Sequence, residues 1–85
     1  MIGKTHPRFW KYFDALPLAI QKLAREKYAL WKRDAHHPSL RFEERRNRIC
    51  VVRIGDHYRA LGLRTGDVIA WFWIGTHEEY NRFRF

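Results

Sequence analysis

The chain has 85 residues and a formal net charge of +8, from 17 Lys and Arg against 9 Asp and Glu. One domain over residues 1–85 is expected, with a thin core that takes up most of the four Trp, four Tyr and six Phe. The excess charge favours an anionic partner; the single Cys rules out an internal disulfide and fits a reducing compartment; no apolar run is long enough to span a bilayer and the N-terminus has no secretory pattern, so a cytoplasmic protein with no membrane partner is expected.

The kind of base changes along the chain. All five lysines lie at or before Lys32, and from Arg33 onward every strong base is arginine. A guanidinium grips phosphate or carboxylate with two parallel bonds and stays charged. The C-terminal half is therefore the better suited to phosphate.

Residues Met1 to Thr5 read as a short polar lead-in or a short strand. His6-Pro7 opens a first helix, because proline lacks the N–H that a first turn leaves unpaired. Phe9, Tyr12, Phe13 and Leu16 recur on one side of it. Leu16-Pro17 ends it, since a residue before proline is pushed out of helical angles. A second helix runs from Pro17 to about Arg33, with Ile20, Leu23, Ala24, Lys27 or Tyr28, and Trp31 facing inward. So short a break makes a helical hairpin. The loop from Asp34 to Ser39 holds His36 and His37. Adjacent histidines with a single cysteine do not make a structural zinc site, which usually needs four ligands, so no metal or cofactor is expected.

Leu40 to Arg46 alternates as a strand, with Arg41, Glu43 and Arg45 on one side. A polar turn follows. Ile49 to Ile54, Tyr58 to Thr65 and the run up to Gly75 then read as an antiparallel meander, turned at Gly55-Asp56-His57 and at Thr65-Gly66. The first turn decides the register. A two-residue turn pairs Ile54 with His57 and sends one of Arg53 and Arg59 into the core. A three-residue loop pairs Ile54 with Tyr58 and sets Arg53 opposite Arg59. It also leaves one face uncharged: Cys50, Val52, Ile54, Tyr58, Ala60, Ile69, Trp71 and Trp73. Burying an unpaired charge is costly, so the three-residue loop is favoured. The other face then carries both arginines among Val51, Leu61, Phe72 and Ile74.

Two arginines directly opposite each other repel. Either Glu43 or the C-terminal carboxylate neutralises them, or an anion sits between them. Thr76-His77-Glu78-Glu79 fits a capping box that starts a short helix. His77 and Tyr80, three apart, share one side of it near the arginine face. Arg53, Arg59, His77 and Tyr80 are the candidate catalytic residues. Arg41, Arg45, Arg46 and Arg82 are candidate RNA contacts, and Glu43 is a candidate general base or a surface ion-pair partner. RNA cleavage without metal needs two proton transfers and stabilisation of a phosphorane, for which histidine, tyrosine and arginine are suited.

The segments LPLAIQKLAREKYALWKRD, HPSLRFE, VRIGDHYRALG and WFWIGTHEEYNRF together resemble the RelE/ParE toxin superfamily, from Phe9 to Phe83. The resemblance implies an α+β fold: two N-terminal helices packed on an antiparallel four-stranded sheet, with a short C-terminal helix. It implies a toxin of a type II toxin–antitoxin pair with a cognate antitoxin as partner. RelE-like members cut mRNA on the ribosome without metal, so mRNA is the second partner implied. Arg59 matches the strand arginine of the family's YR motif, Arg53 takes the place of a basic residue on the preceding strand, and His77 and Tyr80 fall where nuclease members keep a histidine or tyrosine. Two features depart from the pattern. The opening strand is nearly absent, and no lysine follows Lys32 where some nuclease members use a lysine pair. ParE-like members instead poison DNA gyrase and need no nuclease site. A basic RNA-binding module without activity is a third reading.

Overall fold

The computed structural model describes residues 1–84. Among them, five strands form one sheet in the order β1-β5-β4-β3-β2, and two helices lead into it on one side. The strands are β1 (Ile2–Thr5), β2 (Glu43–Glu44), β3 (Ile49–Ile54), β4 (Tyr58–Thr65) and β5 (Val68–Thr76). The helices are α1 (Pro7–Asp14), α2 (Leu18–Arg33) and α3 (His77–Tyr80). The α+β class and the helices match expectation.

The sheet differs from expectation in having a fifth strand. It is mixed, because β1 runs parallel to β5, with Ile2 opposite Val68 and Thr5 opposite Trp71. Periodicity could not reveal this strand, since its one large apolar residue, Ile2, is 54% exposed. Backbone pairing and close packing hold it instead. A Cβ on Gly3 would lie 2.4 Å from Tyr28 Oη and 2.9 Å from Trp31 Cζ3, so only glycine lets β1 pass under α2.

Helix α1 starts as its sequence dictates. The His6 ring accepts from Arg8 N–H, and Pro7 occupies the first turn. It buries Phe9 and Phe13 on the helix side of the sheet, while Tyr12 meets the Trp73 ring from the other side at 6.4 Å. Helix α2 buries Ala24 and Trp31. Trp31 stands edge-on to Trp71 at 5.4 Å and to Phe42 at 5.7 Å. Such a ring is worth roughly 3–5 kcal/mol against alanine.

The strand expected over Leu40–Arg46 shrinks to β2. Pro38–Leu40 forms a 3-10 turn capped by the His37 ring, and Arg41 leaves it at φ 46°. A left-handed residue breaks the extended run. Asn47 and Arg48, also at positive φ, then turn the chain into β3. His36 packs on Phe42 and His37 bonds Ser39, so both rings are used structurally.

The hairpin of β3 and β4 has the three-residue loop, with Ile54 opposite Tyr58 and Arg53 opposite Arg59. Between β4 and β5 the register slips by one residue: Leu61 pairs Trp73, but Gly62 pairs Trp71. Phe72 is the extra residue of a β-bulge. The bulge swaps two expected side-chain directions. Ile74, opposite Ala60, joins the core under the helices, and Trp73, opposite Leu61, joins Val51 and Leu61 on the arginine face. Two apolar clusters result. The larger lies between helices and sheet, and the smaller lies across the sheet under Tyr80 and Phe83.

Candidate nucleic-acid interface

The face away from the helices is built in rows across the strands. Arg53 on β3, Arg59 on β4 and Gly75 on β5 are successive cross-strand partners. The next row is Glu43, Val51, Leu61 and Trp73. Val51, Leu61 and Trp73 are buried and give the arginines an apolar floor. A Cβ at Gly75 would lie 2.4 Å from Trp73 Cζ2 and 2.9 Å from Glu79 Oε1. Glycine there lets the indole lie against the strand beside Arg59.

The two arginines are held differently. Arg53 donates from Nε to Gly55 O at 3.0 Å and pairs with the Asp56 carboxylate. The turn thus supplies its acid, in place of the expected Glu43 or C-terminal carboxylate. The latter lies outside the described residues. Arg59 donates from NH1 to Tyr58 O at 2.7 Å. Burial pushes its guanidinium below the ordinary value, and Arg53 adds to that; Tyr80 acts the other way, Arg41 depresses it further, and Asp56 again opposes. Arg41 is thereby placed within electrostatic reach of Arg59. Arginine stays charged at neutral pH even so. Arg59 is a partly desolvated cation beside a like charge.

Helix α3 brings in the second set. Thr76 Oγ1 accepts from Glu79 N–H at 3.1 Å, and Glu79 Oε1 accepts from Thr76 N–H at 2.9 Å, completing the capping box. Those bonds hold the Glu79 carboxyl below its usual range. His77 N–H donates to His57 O at 2.8 Å and ties α3 to the loop beside Arg53. The His77 and Tyr80 rings are 6.3 Å apart, and both residues are half-buried. Tyr80 lies within electrostatic reach of Arg59 and of Arg45.

Glu43 Oε1 accepts from Arg45 NH1 at 3.1 Å on the exposed rim of this face. That bond is the first cause that raises the Arg45 guanidinium, with Tyr80 second. Arg46 lies in the exposed turn before β3. Arg82 follows α3, exposed, and its charge helps depress Glu79. These two are not drawn into the arginine row. Beyond Trp73 the face continues as a shallow hollow of about 360 Å³ lined by His6, Arg8, Ile49, Leu63, Ala70 and Phe72. Leu63 is 45% exposed there. Among the described residues no three His, Cys, Asp or Glu side chains cluster as a metal site. A larger cleft lies on the helix side and contains none of the candidate residues.

Sequence reasoning missed Asp56 as the partner of Arg53, His57 as the anchor of α3, and Trp73 as the floor. The Asp-His dipeptide in the loop was the one readable signal for the first two. Nothing in the strand pattern announced the bulge that turns Trp73 over.

Comparison with known proteins bears on the fold and the family. The family described as ParE-like toxin domain matches residues 18–82. The fold resembles a copper-bound mutant toxin from Helicobacter pylori, with TM-score 0.62 and 16% identity over 93% of this chain and 97% of that one. No curated protein gives a significant match.

Proposed function

The chain belongs to the ParE-like toxin domain family, within the RelE/ParE superfamily, and on that premise we propose that this toxin is a metal-independent mRNA endonuclease acting on the ribosome. The observation that supports this most is the opposed Arg53 and Arg59 pair with His77 and Tyr80 at its edge. Repelling cations are held together on a sheet face, and among the described residues no carboxylate pairs with Arg59. An incoming phosphate would relieve that arrangement.

In this reading the guanidiniums of Arg53 and Arg59 grip the scissile phosphate. Their charge counts most as the pentacoordinate phosphorane forms, because negative charge grows on its oxygens. His77 takes the proton from the 2′-hydroxyl as its oxygen attacks phosphorus. Tyr80 gives a proton to the 5′-oxygen as the P–O5′ bond breaks. The products are a 2′,3′-cyclic phosphate and a free 5′-hydroxyl, so no water enters. Glu43, engaged by Arg45, serves as an ion-pair partner and not as the base. Arg41 and Arg45 line the path of the RNA, and the hollow at Leu63 and Phe72 offers an apolar shelf for a base. The toxin acts in the cytoplasm and is neutralised by a cognate antitoxin.

The test is induction followed by primer extension on cellular mRNA. Wild type should produce new 5′ ends within reading frames; Arg59→Ala and His77→Ala should not. Variants as toxic and as active as wild type would overturn the assignment. The family match itself favours a second reading, a protein-binding toxin directed at DNA gyrase. A supercoiling assay with purified gyrase separates the two. Inhibition that persists in Arg59→Ala would favour the gyrase reading.

A further inference from the structure

The helical half of the chain holds charge that the arginine row does not use. Residues 1–34 include eight Lys and Arg against three Asp and Glu, and all five lysines are among them. Among the described residues no side chain of α1 or α2 takes part in an ion pair. On α2, Lys22, Arg25, Lys32 and Arg33 are exposed, and their spacing sets them along one outer stripe of the helix. Glu26 is the one acid beside them.

Two features set this stripe apart from an ordinary solvated surface. First, two of its cations are held in place. Arg25 lies over the Phe13 ring of α1 and Lys32 over the Tyr28 ring, each at 5.0 Å. They stand about 10 Å apart along the helix axis. Second, a large ring is exposed beside them. Trp10 is 43% exposed, whereas Trp31, Trp71 and Trp73 are buried. It stands edge-on to the same Phe13 ring at 5.3 Å. Trp10, Arg25, Tyr28 and Lys32 thus meet along the seam between α1 and α2.

We propose that this outer face of the helical hairpin binds the phosphate backbone of double-stranded RNA. Lysine is a point charge that suits sequence-independent backbone contact, and cations already held over rings lose less freedom on meeting a phosphate. A single strand fits less well, since it needs a basic groove with several stacking rings, and this convex face exposes one. An anionic bilayer fits less well too. Between Lys22 and Arg33 the stripe exposes Ala29 as its one apolar side chain, too little to enter a lipid interface. That the duplex is RNA rests on the ribosomal reading. The phosphate contact itself does not, because it lies across the sheet from Arg53 and Arg59.

The test is binding of the full chain to an RNA hairpin of about 16 base pairs, the span that a duplex-binding domain covers, followed by fluorescence anisotropy from low to moderate salt. Lys22→Gln, Arg25→Gln and Lys32→Gln combined should weaken binding about tenfold or more. They should also reduce the salt slope by about two to three, near one for each lost phosphate contact. Glutamine suits an exposed helix position, so the circular dichroism spectrum should not change. The charge-keeping set Lys22→Arg, Arg25→Lys and Lys32→Arg should retain both affinity and slope. In ¹⁵N spectra the Trp10 indole should shift with RNA and the Trp73 indole, on the other face, should not. Unchanged affinity and slope in the glutamine variant, an equal loss in Arg53→Gln with Arg59→Gln, or movement of Trp73 without Trp10 would overturn the duplex face. Tighter binding of oligouridine, of a DNA duplex of the same sequence or of phosphatidylglycerol vesicles would overturn the choice of double-stranded RNA. Cleavage plays no part in the measurement, so a failure here leaves the nuclease reading to its own test on Arg59→Ala.

Discussion

Arg59 offers the sharpest separation of structural from functional roles, through Arg59→Met. Methionine keeps most of the length of the stem while removing the charge. Two contributions to stability oppose each other. The substitution removes a like-charge pair across β3 and β4, a relief of about 0.2–1 kcal/mol. It also removes the bond from NH1 to Tyr58 O, a loss of roughly 0.5–1.5 kcal/mol. The net change lies between a loss of about 1.3 kcal/mol and a gain of about 0.5 kcal/mol, at some 4–8 °C in Tm per kcal/mol for a domain of this size. Cleavage should fall far more, by about 10²–10³, the usual cost of removing one donor to a developing oxyanion. Differential scanning fluorimetry and cleavage in a reconstituted translation system read the two quantities. Salt adds a control, because it screens repulsion. Wild type should gain Tm between low and moderate sodium chloride, and Arg59→Met should gain less. A large loss of Tm with cleavage intact would show Arg59 to be a structural residue and would refute the phosphate-clamp argument.

Thr76→Ala removes one arm of the capping box and should cost about 1 kcal/mol, seen as a Tm drop of roughly 4–8 °C; it should also slow cleavage by loosening His77 and Tyr80, although Thr76 is given no contact with RNA. Glu79→Gln tests the other arm by pH. The folded carboxyl lies below its unfolded value, so its contribution is complete above about pH 4.3 and is lost as pH falls through the folded value. The Tm gap between wild type and Glu79→Gln should therefore close on acidification from that point, and a gap that widens would refute it. Gly75→Ala would drive a methyl into the Trp73 indole and the Glu79 carboxylate, and should cost about 1–3 kcal/mol in urea unfolding together with a red shift in tryptophan emission.

The helices were legible because two prolines and a 3.6-residue apolar repeat mark them. Pro7 and Pro17 set the starts, and Phe9, Phe13, Ala24 and Trp31 face the core as their spacing requires. The hairpin register was legible for a different reason. Only the three-residue loop keeps charge out of the core, so the cost of burying Arg53 or Arg59 selects it. Strand β1 was legible only as one of two alternatives for residues 1–5, because its position depends on what Gly3 lacks and not on what its side chains bury. The brevity of β2 was not legible, because alternation continues through Arg41 even though its backbone turns left-handed.

The bulge at Phe72 shows where pattern reading stops and why this matters for the site. Alternation carried from Ile69 assigns Trp73 to the helix side and Ile74 to the arginine side. One extra residue reverses both. The exchange places the small branched side chain under the helices and the large indole beside Arg59. There Gly75 leaves it room, and Phe83 meets it edge-on at 4.9 Å. Strand periodicity thus assigns to the wrong face a buried indole that lies diagonally across the strands from Arg59, whose guanidinium is depressed first by burial. Trp73→Ala should therefore weaken phosphate discrimination by exposing Arg59 to water, even with every charged group retained. The direct check is the salt dependence of cleavage. The variant should show a shallower decline in rate with rising phosphate than wild type, because inorganic phosphate competes for the clamp only while the clamp is partly dry. An unchanged phosphate response, with the fold intact by circular dichroism, would mean that the floor does not shape the site.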